Sequence, residues 1–197
     1  MQAVWTTCPS EYVVNETNRH ERRYGASAER LRDPARLALL EIPRVLDLCL
    51  EGIAAVRMLD VGTGTGIFAE AFGGRGLKVT GIDPNPELLA VARRHAAGVF
   101  LQGTAEKLPF EDRSFDIVMM GLVLHETDDR AGSLSQARRV SRERVAILEW
   151  PYLEEDQGPP LAHRLQESEI LSLARVAGFS LIEKTVLTHM HLYRMTP

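Results

Sequence analysis

Residues 58–66 read Met-Leu-Asp-Val-Gly-Thr-Gly-Thr-Gly, an apolar run that stops in three alternating glycines. Such a run is a buried strand that turns sharply into a helix. Glycine lets the backbone approach a ligand closely, and the helix that follows offers unpaired N–H groups and the positive end of its dipole. The spacing then narrows the ligand. A dinucleotide loop of the GxGxxG kind needs its third glycine at position 67. Here position 67 is Ile and the third glycine is Gly66, so the pattern is GxGxG, and the lysine of a phosphate-binding loop is missing as well. The loop favours a carboxylate over a pyrophosphate at the helix end; a tight turn with no ligand is the plainer alternative. Asp83 ends the next apolar segment. An acid about 20 residues beyond the first glycine is placed to accept hydrogen bonds from ribose hydroxyls. Alone, Asp83 could be a simple N-cap before Pro84 and Pro86; the two features together argue for a nucleoside.

The rest of the chain alternates. Segments 56–61, 77–82, 99–102, 115–121, 144–150, 179–187 and 189–195 read as strands, and 66–75, 86–97, 131–142 and 167–177 as helices. Asp33-Pro34 is an N-cap followed by proline at the first helical position, and Pro43 repeats that signal. Two short helices are therefore expected between residues 33 and 50. The apolar run 115–121 suits a central parallel strand covered on both faces. Alternating strands and helices imply an α/β sheet with helices on both sides. The last two strands have almost no connection between them, so they should pair as an antiparallel hairpin. Gly158-Pro159-Pro160 interrupts the pattern with a long connection.

A chain of 197 residues is one ordinary domain, and 45% hydrophobic with 25% charged residues is a globular composition, not a disordered one. The net charge of −4 has no basic excess to draw nucleic acid or an anionic membrane. Cys8 and Cys49 form no CxxC, which fits a reducing cytoplasm. Residues 1–9 lack the pattern of a signal peptide, and the apolar stretch 117–124 is far short of the roughly 20 residues that insertion into a bilayer requires. The first 30 residues are polar, with Arg19, His20, Arg22 and Arg23 clustered beside Tyr24. They are either a cover over a ligand or a tail.

Four stretches carry a family resemblance: LDVGTGTG (59–66), VTGIDPNPELLAVARR (79–94), GTAEKLPFEDRSFDIV (103–118) and GLVLHET (121–127). Together they resemble the Rossmann-like, class I S-adenosylmethionine (SAM) methyltransferases, in the branch of the ubiquinone/menaquinone methyltransferases. The likeness runs from about residue 32 to the C-terminus and includes GPPLAHRL (158–165). It implies a doubly wound seven-stranded sheet of order 3-2-1-4-5-7-6 with strand 7 antiparallel. It also implies one catalytic domain over 33–197 behind an N-terminal extension or lid, 1–32. The cofactor would be SAM and the acceptor a small molecule. Asp60, Gly62, Thr63 and Gly64 would surround the methionine end, Asp83 would hold the ribose, and Pro84 would lie against the adenine. Ala105 and Glu106 would contact the adenine edge. Thr104 stands where the family commonly has aspartate, which puts that contact in doubt. Gly121 and Leu122 would line the sulfonium and its methyl group.

Methyl transfer to a nucleophile neutralises charge as it proceeds, so the protein's main task is alignment and exclusion of water. A base is needed only when the acceptor has a proton to lose. His125, just past the fourth strand, is the candidate for that base or for orienting the acceptor; packing is the competing role. Glu149, Trp150 and Tyr152 could line an acceptor pocket, with core packing the alternative for Trp150. His163 and Arg164 either border the site or lie on a solvated surface. His125-Glu126-Thr127-Asp128-Asp129 is not HExxH, and His189 and His191, on one strand face, lack a third ligand, so no metal is expected. Two cysteines are too few for an arsenite-type methyltransferase. The rivals from other classes are an NAD-dependent oxidoreductase, disfavoured by the glycine spacing, and a non-catalytic SAM-binding or scaffold protein.

Overall fold

The computed structural model describes residues 27–197. The basic cluster at Arg19, His20, Arg22, Arg23 and Tyr24 therefore lies outside the described residues, as does Cys8. Three helices lead in: α1 (Ala28–Leu31), α2 (Pro34–Leu39) and α3 (Ile42–Leu50). Strands and helices then alternate as β1 (Arg57–Val61), α4 (Ile67–Gly74), β2 (Lys78–Asp83), α5 (Pro86–His95), β3 (Val99–Gln102) and β4 (Phe115–Gly121). The chain ends with α6 (Arg130–Val140), β5 (Ser141–Glu149), α7 (Glu167–Val176), β6 (Leu181–Val186) and β7 (His191–Thr196).

The seven strands form one sheet of order β3-β2-β1-β4-β5-β7-β6. All neighbours are parallel except β7, which is antiparallel to β5 and β6. Successive strand side chains point to opposite faces, and the sheet uses both. Met58, Ile117, Met119, Ala146 and Leu148 pack with Val45, Phe68, Phe72 and Leu89, from α3, α4 and α5. Leu59, Val61, Val118, Met120 and Ile147 pack instead with Leu134, Ala137, Ile170 and Ala174, from α6 and α7. That double burial is why 115–121 is apolar throughout and not alternating.

The helix starts follow the local chemistry. Asp33 Oδ1 accepts hydrogen bonds from the N–H of Ala35 at 2.8 Å and Arg36 at 3.4 Å, with Pro34 in the first turn. Asn85 caps α5 in the same manner, accepting from Glu87 and Leu88. At the other end of α3, Arg144 from β5 donates to the carbonyls of Cys49 at 2.6 Å and Glu51 at 2.9 Å. A half-buried arginine thus serves the orphan acceptors of a helix C-terminus.

Several boundaries differ from the sequence reading. β5 begins at Ser141, inside the span read as helix, because α6 stops at Val140 and the chain extends at once. The β4–β5 register shifts between Phe115 and Ile117, so the polar Arg142 and Glu143 sit in a bulge that alternation does not reveal. α1 falls within the segment read as extension, and Ser27 caps it by accepting from Arg30. His189 lies in the turn between β6 and β7, so it does not share a strand face with His191.

Candidate active site

The sheet order reverses between β1 and β4, and in open α/β sheets ligands bind beyond the strand C-termini at such a point. A cleft of about 840 Å³ opens there, within the ~300–1,000 Å³ usual for small-molecule sites. Gly62, Thr63, Gly64, Asp83, Pro84, Thr104, Ala105, Glu106, Gly121, Leu122 and His125 all line it. Asp60 does not. It stands behind the glycine loop, where its Oδ2 accepts from Thr63 Oγ1 at 2.7 Å and Ala69 N–H at 3.1 Å. Its carboxyl therefore ties the loop to the first turn of α4, and burial pushes its pKa up to about 7.

Asp83 is nearly buried, and backbone donors fix its carboxylate. Oδ2 accepts from Gly64 N–H and Oδ1 from Asn85 N–H, each at 2.8 Å. A carboxylate oxygen can accept more than one hydrogen bond, so this anchoring is compatible with a diol. Arg32 donates from Nη2 to Thr65 O at 2.9 Å and to Glu70 Oε2 at 2.8 Å. That contact fastens α1 to the glycine loop and brings Arg30, Leu31 and Arg36 to the cleft. The sequence reading missed α1 and α2 as a wall; the apolar Leu37, Leu39 and Leu40 beyond the Asp33 cap were the available signal.

Leu122 leaves β4 with φ +60, a conformation that costs energy for a residue other than glycine. Its N–H is held by Leu148 O at 2.8 Å. The chain then forms a short 3-10 turn, Leu124–Glu126, which carries His125. His125 Nδ1 is 2.8 Å from Glu149 Oε2, and the His125 N–H donates to Glu149 Oε1 at 3.1 Å. Burial works against a charged imidazole, yet the charge and hydrogen bond of Glu149, with Glu126 nearby, outweigh it and raise the His125 pKa. Glu149 is therefore behind His125 and not on the cleft wall.

Trp150 takes both roles open to it, packing in the core and lining the cleft. Tyr152 is exposed and stands apart from the cleft. His163 and Arg164 are buried and not solvated. Arg164 gathers the connection after β5, donating to the carbonyls of Pro159 at 2.9 Å, Pro151 at 3.2 Å and Leu153 at 2.6 Å. It also bonds Gln157 O and Glu155 Oε2 and lies 5.4 Å from the Trp150 ring centroid. Gln157, Gly158 and Pro159 thereby become one wall of the cleft. Gly158 has φ +86, and a Cβ there would meet the Trp150 indole at 2.7 Å, so no other residue fits.

Comparison with known proteins agrees with this layout. Residues 59–148 match the family model described as a methyltransferase domain. The chain is 44% identical over 93 residues to the demethylmenaquinone methyltransferase of Chlorobaculum tepidum, a match covering 46% of this chain and 38% of that protein. A malonyl-[acyl-carrier protein] O-methyltransferase of Serratia marcescens is 39% identical over 93 residues, covering 47% of this chain and 36% of that one. A SAM-dependent methyltransferase from Aquifex aeolicus superposes with a TM-score of 0.75 at 26% identity, covering 86% of this chain and 97% of that structure. Residues 59–148 thus match a methyltransferase domain, on a fold like that of the Aquifex protein. The matched stretch spans less than two fifths of the length of these two curated relatives.

The methyltransferase cleft fits SAM on its own chemistry. Gly64 leaves open space: an added Cβ would find only Leu31 Cδ1 at 3.9 Å and Gly62 O at 4.0 Å. Thr65 Oγ1, buried in the same loop, has no hydrogen-bond partner among the described residues. An idle donor beside an open backbone suits a bound carboxylate. No helix among the described residues is long and apolar enough to cross a membrane.

Proposed function

We propose that this protein transfers the methyl group of SAM to a small-molecule acceptor in the cytoplasm, with His125 as the group that meets the acceptor. The single observation that carries the reading is that the glycine loop, the anchored Asp83 and the Glu149-backed His125 open onto one cleft. Gly62, Thr63 and Gly64 would hold the methionine end, Asp83 the ribose, and Thr104, Ala105 and Glu106 the adenine. When bound, SAM supplies a methyl carbon on a positively charged sulfur, which leaves as a neutral thioether as the acceptor's electron pair forms the new bond. Leu122 and Trp150 exclude water from that end of the cleft, and His125 removes or steers the acceptor's proton. Residues 1–32 serve as a cover, a role supported by the Arg32 tether between α1 and the glycine loop. The net charge of −4 supports a small acceptor over nucleic acid.

Calorimetry tests the cofactor half. SAM is expected to bind and NAD is not. Asp83→Ala should weaken SAM by roughly 10- to 150-fold, since a hydrogen bond to a charged group contributes about 1.5–3 kcal/mol. Binding of NAD, or an unchanged SAM affinity in the variant, would overturn the reading. Transfer of labelled methyl from SAM into a metabolite extract separates an enzyme from a SAM-binding scaffold.

A further inference from the structure

We propose that Glu149 is the positioning residue that makes His125 a directed base, by holding the ring at Nδ1 and the backbone at N–H so that Nε2 faces the acceptor. The inference rests on the methyl-transfer reading above and deepens it. Glu149 ends β5, next to the end of β4, and both its carboxylate and the His125 ring are almost completely buried. A carboxylate in such a place is retained only if it is paired and hydrogen-bonded. Glu149 is satisfied twice by the same residue, Oε1 by the His125 N–H and Oε2 by Nδ1. This two-point grip fixes the ring and the turn that carries it together.

The grip also selects a tautomer. An ionised carboxylate only accepts, so Nδ1 carries the hydrogen and the neutral ring keeps its electron pair on Nε2. Nε2 makes no hydrogen bond with a described residue. Glu126 Oε1 stands 3.7 Å from it, too far for one. Both residues are on the cleft wall. The nitrogen left without a hydrogen bond thus belongs to a ring on the cleft wall.

The proton balance is simple. The acceptor's O–H or N–H proton moves to Nε2, its electron pair forms the bond to the methyl carbon, and the proton later passes to solvent. The imidazolium so formed lies between Glu149 from β5 and Glu126 from its own turn, which favour the charge. Arg130, at the start of α6, opposes it, as does burial.

The test needs neither cofactor nor acceptor. Long-range ¹H–¹⁵N spectra of histidine-labelled protein, with His125 assigned by its loss in His125→Gln, report the tautomer between pH 5 and 9. The neutral wild-type ring should carry its hydrogen on Nδ1. Glu149→Gln should lower the titration midpoint by tenfold or more in proton affinity and mix the tautomers, because an amide can donate as well as accept. A wild-type ring protonated on Nε2, or a midpoint that does not move in Glu149→Gln, overturns the proposal. If Glu149→Gln does not fold, the wild-type tautomer still decides. With an acceptor in hand, Glu149→Gln should lower kcat and leave SAM affinity as it was. Failure of these spectra removes Glu149's role and leaves methyl transfer standing; absent SAM binding with the expected tautomer removes methyl transfer and leaves the pairing.

Discussion

His125 shows how much one residue depends on neighbours that are distant in sequence. Its place after β4 marked it as a candidate base, but nothing local told base from packing. Glu149, 24 positions on, makes that difference through Oε2 at 2.8 Å from Nδ1. A lone buried glutamate at the end of a strand looks in sequence like any strand-end acid, so the pairing was not legible. Asp83 is the opposite case: glycine spacing and an acid about 20 residues on are backbone requirements, and those are written locally. For His125 the expected outcome is concrete. His125→Ala should lower kcat by roughly 10²- to 10⁴-fold with little change in SAM affinity. Because the ring's pKa is raised, the rate should fall with decreasing pH through a midpoint above the ordinary value of about 6.5. His125→Gln, which cannot take the proton, should be nearly as slow as alanine. A pH-rate profile that is flat, with Gln close to wild type, would show that the residue only orients the acceptor.

At the scale of elements, the connection after β5 is the feature that local pattern could not resolve. Gly158-Pro159-Pro160 reads as a break, and Arg164 as equally a site border or a solvated surface, because arginine is rarely buried without partners. The loop supplies those partners itself, through the carbonyls of Pro159, Pro151 and Leu153. The boundary between α6 and β5 was misplaced in sequence for a related reason. Polar residues at 142–143 hid a bulge that only pairing with β4 defines. The helix caps at Asp33 and Asn85 were legible because a cap is made within three residues. Arg164→Lys tests the loop's dependence on one side chain, since an ammonium cannot reach all of those acceptors in one plane. Losing the buried bond to Pro159 and part of the others should cost about 1–3 kcal/mol, a fall in Tm of roughly 2–12 °C for a domain of this size. SAM affinity should change less than the acceptor KM, because Gln157 and Pro159 wall the cleft on the Trp150 side. An unchanged melting curve would mean that the loop holds its shape without the knot.

For the whole molecule, alternation of strands and helices was enough for the fold class, whereas the strand order came from family resemblance; the terminal hairpin alone announced an antiparallel strand. What no pattern carried was the electrostatic state of the interior, and it governs stability against pH. Asp60 has a folded-state pKa of about 7 against an ordinary 3.8, raised by burial. Between those values the folded protein holds a proton that the unfolded chain releases, so this group's stabilisation is full below about 3.8 and is lost as pH rises through about 7. His125 acts in the same direction: its pKa is raised, so its contribution is full below 6.5 and fades as pH climbs past its folded value. Acids of the opposite kind limit the other side. Asp116 resists slight burial through the N–H groups of Arg57 and Val56, and Glu41 through Thr188 and Arg44, so both are lowered. Their contribution is present above the ordinary carboxylate values and disappears as pH falls through the lowered ones. The protein without ligand should therefore be most stable in mildly acid solution, near pH 5, and Tm should decline steadily from there to pH 8. Asp60→Asn keeps the shape but cannot ionise, so the decline should flatten in that variant and what remains should follow His125. Thermal denaturation of both proteins at half-unit intervals measures this directly. A wild-type Tm that rises from pH 5 to 8, or an Asp60→Asn curve parallel to it, would show that the carboxyl behind the glycine loop is already ionised when the protein folds.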